Sequence, residues 1–176
     1  MSTNQIPNIL IVDDVSANLV ILSEMVKSAG YVPRPVTSVK NALEAIAKKM
    51  PQLILLDITM PEISGFELCS MLKGDVKTRE IPIIFISALD SVEDRVKGFK
   101  LGAVDYISKP FEKEEVTLRL NTHLKIYKMQ QELESYNKRL YKMVNSQIQK
   151  VAEEQNNIFY AVAGVLELRY KNDEGH

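Results

Sequence analysis

From Asn8 to about Leu124, five short apolar runs rich in branched residues alternate with segments whose apolar residues recur at three- and four-residue spacing. That alternation admits few folds, because parallel strands need crossover helices and those helices then cover both faces of the sheet. The runs are Ile9 to Val12, Tyr31 to Val36, Leu53 to Leu56, Ile83 to Ile86 and Val104 to Ile107. Between them, Ala17 to Ser28, Val39 to Lys48, Gly65 to Lys73 and Val92 to Leu101 carry the helical period. The pattern predicts an α/β fold with a doubly wound, five-stranded parallel sheet. Gly30 and Gly102 follow helices where a left-handed stop is needed, and Ser91 with Asp94 three residues later resembles a capping box. Pro33 and Pro35 assign the second strand to an edge.

With 176 residues, 45% hydrophobic and 26% charged, the chain supports one well-cored domain and some extra structure. A net charge of −1 offers no basic field, so no nucleic-acid partner is expected. Cys69 is the single cysteine, which excludes an internal disulfide and a Cys-cluster zinc site. Met1 to Pro7 lacks a signal-peptide pattern, and no apolar run approaches the roughly 20 residues of a membrane span. A soluble, cytoplasmic protein with no membrane partner is the expectation.

Polar residues fall where four of the five strands end: Asp13 and Asp14 after the first, Asp57 after the third, Ser87 after the fourth and Lys109 after the fifth. Chemistry in doubly wound sheets gathers at the carboxyl ends of strands. Asp57 closes the run LILLD, and an unpartnered carboxylate costs several kcal/mol to bury, so its expected place is a rim facing solvent and partners. Three carboxylates brought together repel unless a cation offsets them. An all-oxygen donor set with no Cys or His nearby suits Mg²⁺. With Lys109 as a fixed positive charge and Ser87 as a hydroxyl, the group is equipped to accept a phosphoryl group, Asp57 being the candidate nucleophile. Plainer readings exist for each residue alone. Asp13 and Asp14 could cap the first helix, Ser87 could serve a turn, Lys109 could be solvated and Tyr106 could be core packing. Their coincidence at four strand ends favours the site.

The strings VDD (12 to 14), LLDITMPEISG (55 to 65), IPIIFISA (81 to 88) and GAVDYISKPF (102 to 111) resemble, in order and spacing, the receiver domain of two-component response regulators. The resemblance implies a flavodoxin-like sheet of order 2-1-3-4-5. It also implies phosphorylation of Asp57 by a sensor histidine kinase, a phosphotransfer protein or a small phosphodonor. Mg²⁺, with Mn²⁺ or Ca²⁺ as substitutes, would be held by Asp14 and Asp57, by Asp13 through water, and by the Thr59 backbone carbonyl. Ser87 would hydrogen-bond the phosphoryl group, Lys109 would pair with it, and Lys109 to Pro110 would be a cis bond. Tyr106 would rotate inward as Ser87 moves, reshaping the face built from the fourth helix, fifth strand and fifth helix. Thr59 and Leu89 are the positions that tune dephosphorylation in such domains. Beyond self-phosphorylation and dephosphorylation at Asp57, the chain itself is not expected to be an enzyme. A haloacid-dehalogenase-type phosphatase would need a second aspartate where Thr59 stands, and a nucleotide-binding first loop would not present the acids of DDVSAN to an anion.

From Glu112 to about Lys171 there is no proline and one glycine, Gly164, which predicts helix. Taking Asn137, Val144, Val151, Ile158 and Val165 as a positions makes Ile126, Leu133, Leu140, Gln147, Glu154 and Ala161 the d positions. β-Branched residues at a and leucine at d favour a parallel homodimer, with Leu133, Asn137, Leu140, Val144, Val151 and Ile158 in its seam. The expected organisation is a receiver over 1-124, a coiled-coil signalling helix over 125-157, the start of an output domain over 158-173 and a tag remnant over 174-176. NNIFYAVAGVLELRYKND (156 to 173) resembles the lead-in helix of HD-GYP-type cyclic di-GMP phosphodiesterase domains, although the HD and GYP motifs are not in this chain. A stand-alone adaptor receiver and a diguanylate cyclase output are the alternatives. His123 reads as an ordinary helix residue.

Overall fold

The computed structural model describes residues 6–88 and 91–173, with side chains described to 166. Leu89 and the segment 174–176 therefore lie outside the described residues, as do the side chains of most of the VLELR stretch. Five strands, β1 (Asn8–Val12), β2 (Val32–Val36), β3 (Leu53–Asp57), β4 (Ile83–Ser87) and β5 (Asp105–Ser108), alternate with α1 (Ser16–Ser28), α2 (Val39–Lys48), α3 (Gly65–Gly74), α4 (Val92–Lys100) and α5 (Lys113–Asp173). The sheet is wholly parallel and ordered β2-β1-β3-β4-β5. The two prolines of β2 sit at the edge, where a missing ladder donor costs least.

Every residue of β1, β3 and β4 is buried, which explains why these strands read as unbroken apolar runs rather than as alternation. Side chains on one face pack with α2 and α3 in a cluster containing Leu10, Ile54, Leu56, Phe66 and Phe85, and those on the other pack with α1 and the first turns of α5 around Ile11, Leu22, Leu55 and Leu120. Truncating any one of these to alanine would cost about 2–5 kcal/mol. Gly30 and Gly102 adopt φ of 88° and 97°, as their positions after helices predict.

Ser91 caps α4, accepting from the Asp94 N–H at 3.0 Å, but Asp94 accepts from the Ser91 hydroxyl, so only half of the expected box forms. The complete box lies at α3, between Ser64 and Glu67. The chain forms two compact units, one up to Met129 that holds the sheet and a second from Gln130 made of the rest of α5.

Candidate functional site

The strand register puts the functional side chains side by side. Asp57 pairs with Ile86 at the end of β3, Ser87 ends β4 opposite Ser108, and Asp13 directly follows β1. Asp57 and Ser87 are the last residues of their strands, not the first residues beyond them. Asp57 is also only 3% exposed, which corrects the expectation of a solvent-facing rim position. The partner that makes this burial tolerable is the residue directly after β5. Lys109 Nζ donates to Asp57 Oδ2 at 3.0 Å and to Asp13 Oδ2 at 3.1 Å.

Asp13 is fully buried and held on both oxygens. Its Oδ1 accepts from the Val15 N–H at 2.8 Å, and Asn18 Nδ2 donates to Oδ1 and Oδ2 at 3.1 and 2.9 Å. The N-cap of α1 is Val15 with no side-chain cap bond, so neither aspartate caps that helix. Asn18, one turn into α1, escaped the sequence reading because an early helical asparagine ordinarily points to solvent. Its place five residues after Asp13 and four after Asp14 is the signal that marks it.

Asp57 Oδ1 accepts a long 3.4 Å bond from the Thr59 N–H. The chain then returns over the strand end so closely that a Cβ on Gly65 would lie 2.1 Å from the Asp57 carbonyl oxygen, and the Gly65 N–H donates to the Ile58 carbonyl at 2.9 Å. Gly65 is thus required by close backbone approach. Lys109 precedes a cis bond to Pro110, as expected, and its N–H donates to the Ser87 carbonyl at 3.0 Å.

Burial raises the Asp57 carboxyl above the ordinary range, with the Asp13 charge adding to the rise, while the hydrogen bond and charge of Lys109 oppose it. Burial pulls the Lys109 ammonium down, but its bonds to Asp57 and Asp13 outweigh that and leave it raised. Oxygens of Asp13, Asp14 and Asp57 lie within 4.8 Å of one another, with Asp14 exposed. One ammonium among three carboxylates leaves excess negative charge, and the donors are all oxygen with one edge open to water. This set fits a hard divalent cation.

Beside the acids, Ser87 is buried at the end of β4. Tyr106 lies inward, 7% exposed, its ring 5.9 Å from that of Phe85 and beneath the Arg95 guanidinium. Gly98 of α4 makes room, since a Cβ there would sit 3.0 Å from the Phe85 ring. His123 is not a site residue: its Nε2 pairs with Asp105 Oδ2 at 2.8 Å, and Arg119 also binds Asp105. The heptad residues Leu133, Asn137, Leu140, Val144, Val151 and Ile158 are all exposed along α5.

Residues 9–121 match the family model described as the response regulator receiver domain. The chain belongs to that family. Among curated relatives, the receiver is 38% identical over 120 residues to the DNA-binding dual master transcriptional regulator RpaA of Synechocystis sp., covering 68% of this chain and 49% of that protein. A probable cyclic di-GMP phosphodiesterase of Vibrio cholerae is 34% identical over 168 residues, covering 96% of this chain and 38% of the relative. The chain therefore spans less than half the length of these relatives. A putative response regulator from Chloroflexus aurantiacus superposes with a TM-score of 0.66 at 32% identity, covering 68% of this chain and 98% of that one. Receiver domains of two-component systems interact with histidine kinases or phosphotransfer proteins, and they bind Mg²⁺ at an acidic cluster such as that of Asp13, Asp14 and Asp57. Among the described residues, no helix is long and apolar enough to cross a membrane.

Proposed function

We propose that Asp57 is the phosphoacceptor of this receiver and that Asp13, Asp14, Ser87 and Lys109 assist it. The observation that carries this reading is Lys109 Nζ bridging Asp57 and Asp13 within the carboxylate cluster. Asp57 Oδ1, which among the described residues takes only its long bond from Thr59, keeps lone pairs free to attack phosphorus, while Oδ2 is held by Lys109. A new O–P bond forms as the donor's phosphorus bond to histidine nitrogen or acetate oxygen breaks, and the leaving group takes the electron pair. Lys109 then pairs with the transferred oxygens and Ser87 hydrogen-bonds them. Asp14, Asp57, the Thr59 carbonyl and, through water, Asp13 would hold Mg²⁺, or Mn²⁺ or Ca²⁺ in its place, and the ion when bound would supply positive charge to offset that on those oxygens.

Incubating the protein with Mg²⁺ and acetyl phosphate and then measuring its intact mass tests the assignment. A gain of about 80 Da is expected for the wild type and none for Asp57→Asn; equal labelling of both would refute it.

In this reading Ser87 and Tyr106 form the switch and Thr59 and Leu89 set the phosphate lifetime, in a cytoplasmic protein. The signal leaves through a homodimer whose seam follows α5 past Leu133, Asn137, Leu140, Val144, Val151 and Ile158. The output is cyclic di-GMP phosphodiester hydrolysis by an HD-GYP-type domain of a longer parent protein. Support for that output comes from the Vibrio cholerae relative, whose match to 96% of this chain must extend well beyond residue 121, where the family model ends.

A further inference from the structure

Helix α5 continues without interruption to Asp173, so residue spacing fixes which side chains share a face. One stripe runs from Leu133 to Val165 in steps of three, four, four, four, three, four, three, four and three, and meets an apolar side chain at every one of its ten positions except Gln155. Those nine apolar side chains are 47–64% exposed. An unbroken heptad between the same ends also has ten positions, but it passes through Asn137, Gln147 and Glu154 and the small Ala161. The opposite side carries Glu134, Lys138, Arg139 and Lys142.

The two paths differ around the three successive steps of four from Tyr136 to Ile148. Tyr136 to Val151 is 15 residues in four turns, about 3.75 residues per turn, against 3.5 for a heptad. An excess of that sign locally unwinds a left-handed supercoil.

We propose that two copies of this chain pair in parallel along this stripe, as two heptad segments separated by an unwound stretch between Leu140 and Ile148. The inference rests on the dimeric reading above and revises its seam, replacing Asn137 with Tyr136. A second copy is the occupant because the exposed area suffices: nine side chains from each helix, losing about 60 Å² apiece, bury about 1,100 Å², above the threshold for a specific interface. Gln155 sets the direction. In a parallel pair it meets its own counterpart and the amides bond, whereas an antiparallel pair centred on the stripe would set it against the region of Val144, leaving an unpaired amide among apolar groups.

Single cysteines test the register, with the wild type, whose Cys69 is buried, as background. Tyr136→Cys, Ile148→Cys and Val162→Cys lie on the stripe only, Asn137→Cys, Gln147→Cys and Ala161→Cys on the unbroken heptad only, and Val151→Cys on both. After mild oxidation the stripe set is expected to give at least about threefold more disulfide dimer than the heptad set, because it alone brings Cα atoms within the roughly 7 Å a disulfide spans. Equal yields or the reverse order would overturn the inference while leaving the dimer intact. Failure of Val151→Cys to cross-link would overturn both, and neither result bears on phosphorylation of Asp57.

Discussion

Lys109 Nζ stands 3.0 Å from Asp57 Oδ2, joining residues 52 positions apart in sequence, and the same ammonium reaches Asp13 Oδ2 at 3.1 Å. One cation thus bridges the carboxyl ends of β1 and β3 from the end of β5. Replacing it with an apolar side chain of similar length removes a donor from the developing phosphoryl charge. Lys109→Met is expected to slow acetyl phosphate labelling by about 100-fold in an intact-mass time course. A rate within twofold of the wild type would contradict this role.

Asp57 is raised by burial and by Asp13, so its ionised form weighs against folding at neutral pH. The sign follows from linkage: a raised carboxyl contributes stability that is present below its unfolded value and lost as pH rises through its folded one. Neutralising it should therefore stabilise the metal-free protein at pH 7. Asp57→Asn is expected to raise Tm by about 2–4 °C, which corresponds to roughly 1 kcal/mol in a chain of this size. Adding Mg²⁺ should raise the Tm of the wild type and do so by less than half as much in Asp57→Asn, as differential scanning calorimetry would show.

Gly65 faces a backbone oxygen rather than a movable side chain, since its missing Cβ would fall 2.1 Å from the Asp57 carbonyl. Gly65→Ala must displace either the loop or the end of β3. A loss of about 3 kcal/mol in urea unfolding is expected, together with slower labelling of Asp57.

Asp105 is shifted in the opposite direction. Burial would raise it, but hydrogen bonds from Arg119, His123 and the Tyr106 N–H outweigh that and leave it lowered. Its contribution to stability is present above the unfolded value of about 3.9 and lost as pH falls through the lower folded value. Asp105→Asn is expected to cost about 1–3 kcal/mol at pH 7, and the gap from the wild type should narrow in denaturant titrations as pH is lowered past the unfolded carboxyl value.

The strands were legible because β1, β3 and β4 are buried on both faces and so appear as uninterrupted apolar runs, and β2 because its prolines suit only an edge. The strand-end residues were legible as a set because each follows or closes such a run. The burial of Asp57 was not, because its cost is offset by an ammonium supplied by the residue after β5, and local pattern carries no record of that distance. Asn18 was hidden for a similar reason: its value lies in holding both oxygens of Asp13, not in its own helix. Gly65 could be quoted within a motif, but its necessity depends on how closely the loop after β3 passes the strand end. Tyr106 reads equally as core or switch, and its inward place beside Phe85 is a matter of packing between elements that local pattern does not record.

The most direct measurement locates the phosphoryl group chemically. Protein treated with Mg²⁺ and acetyl phosphate is reduced with borohydride, which converts an aspartyl phosphate to homoserine, and is then digested and sequenced by tandem mass spectrometry. Asp57 is expected to carry the resulting loss of about 14 Da, while Asp13 and Asp14 stay unchanged. Reduction at another residue, or at none while the protein still gains phosphate mass, would contradict the assignment of Asp57 as acceptor.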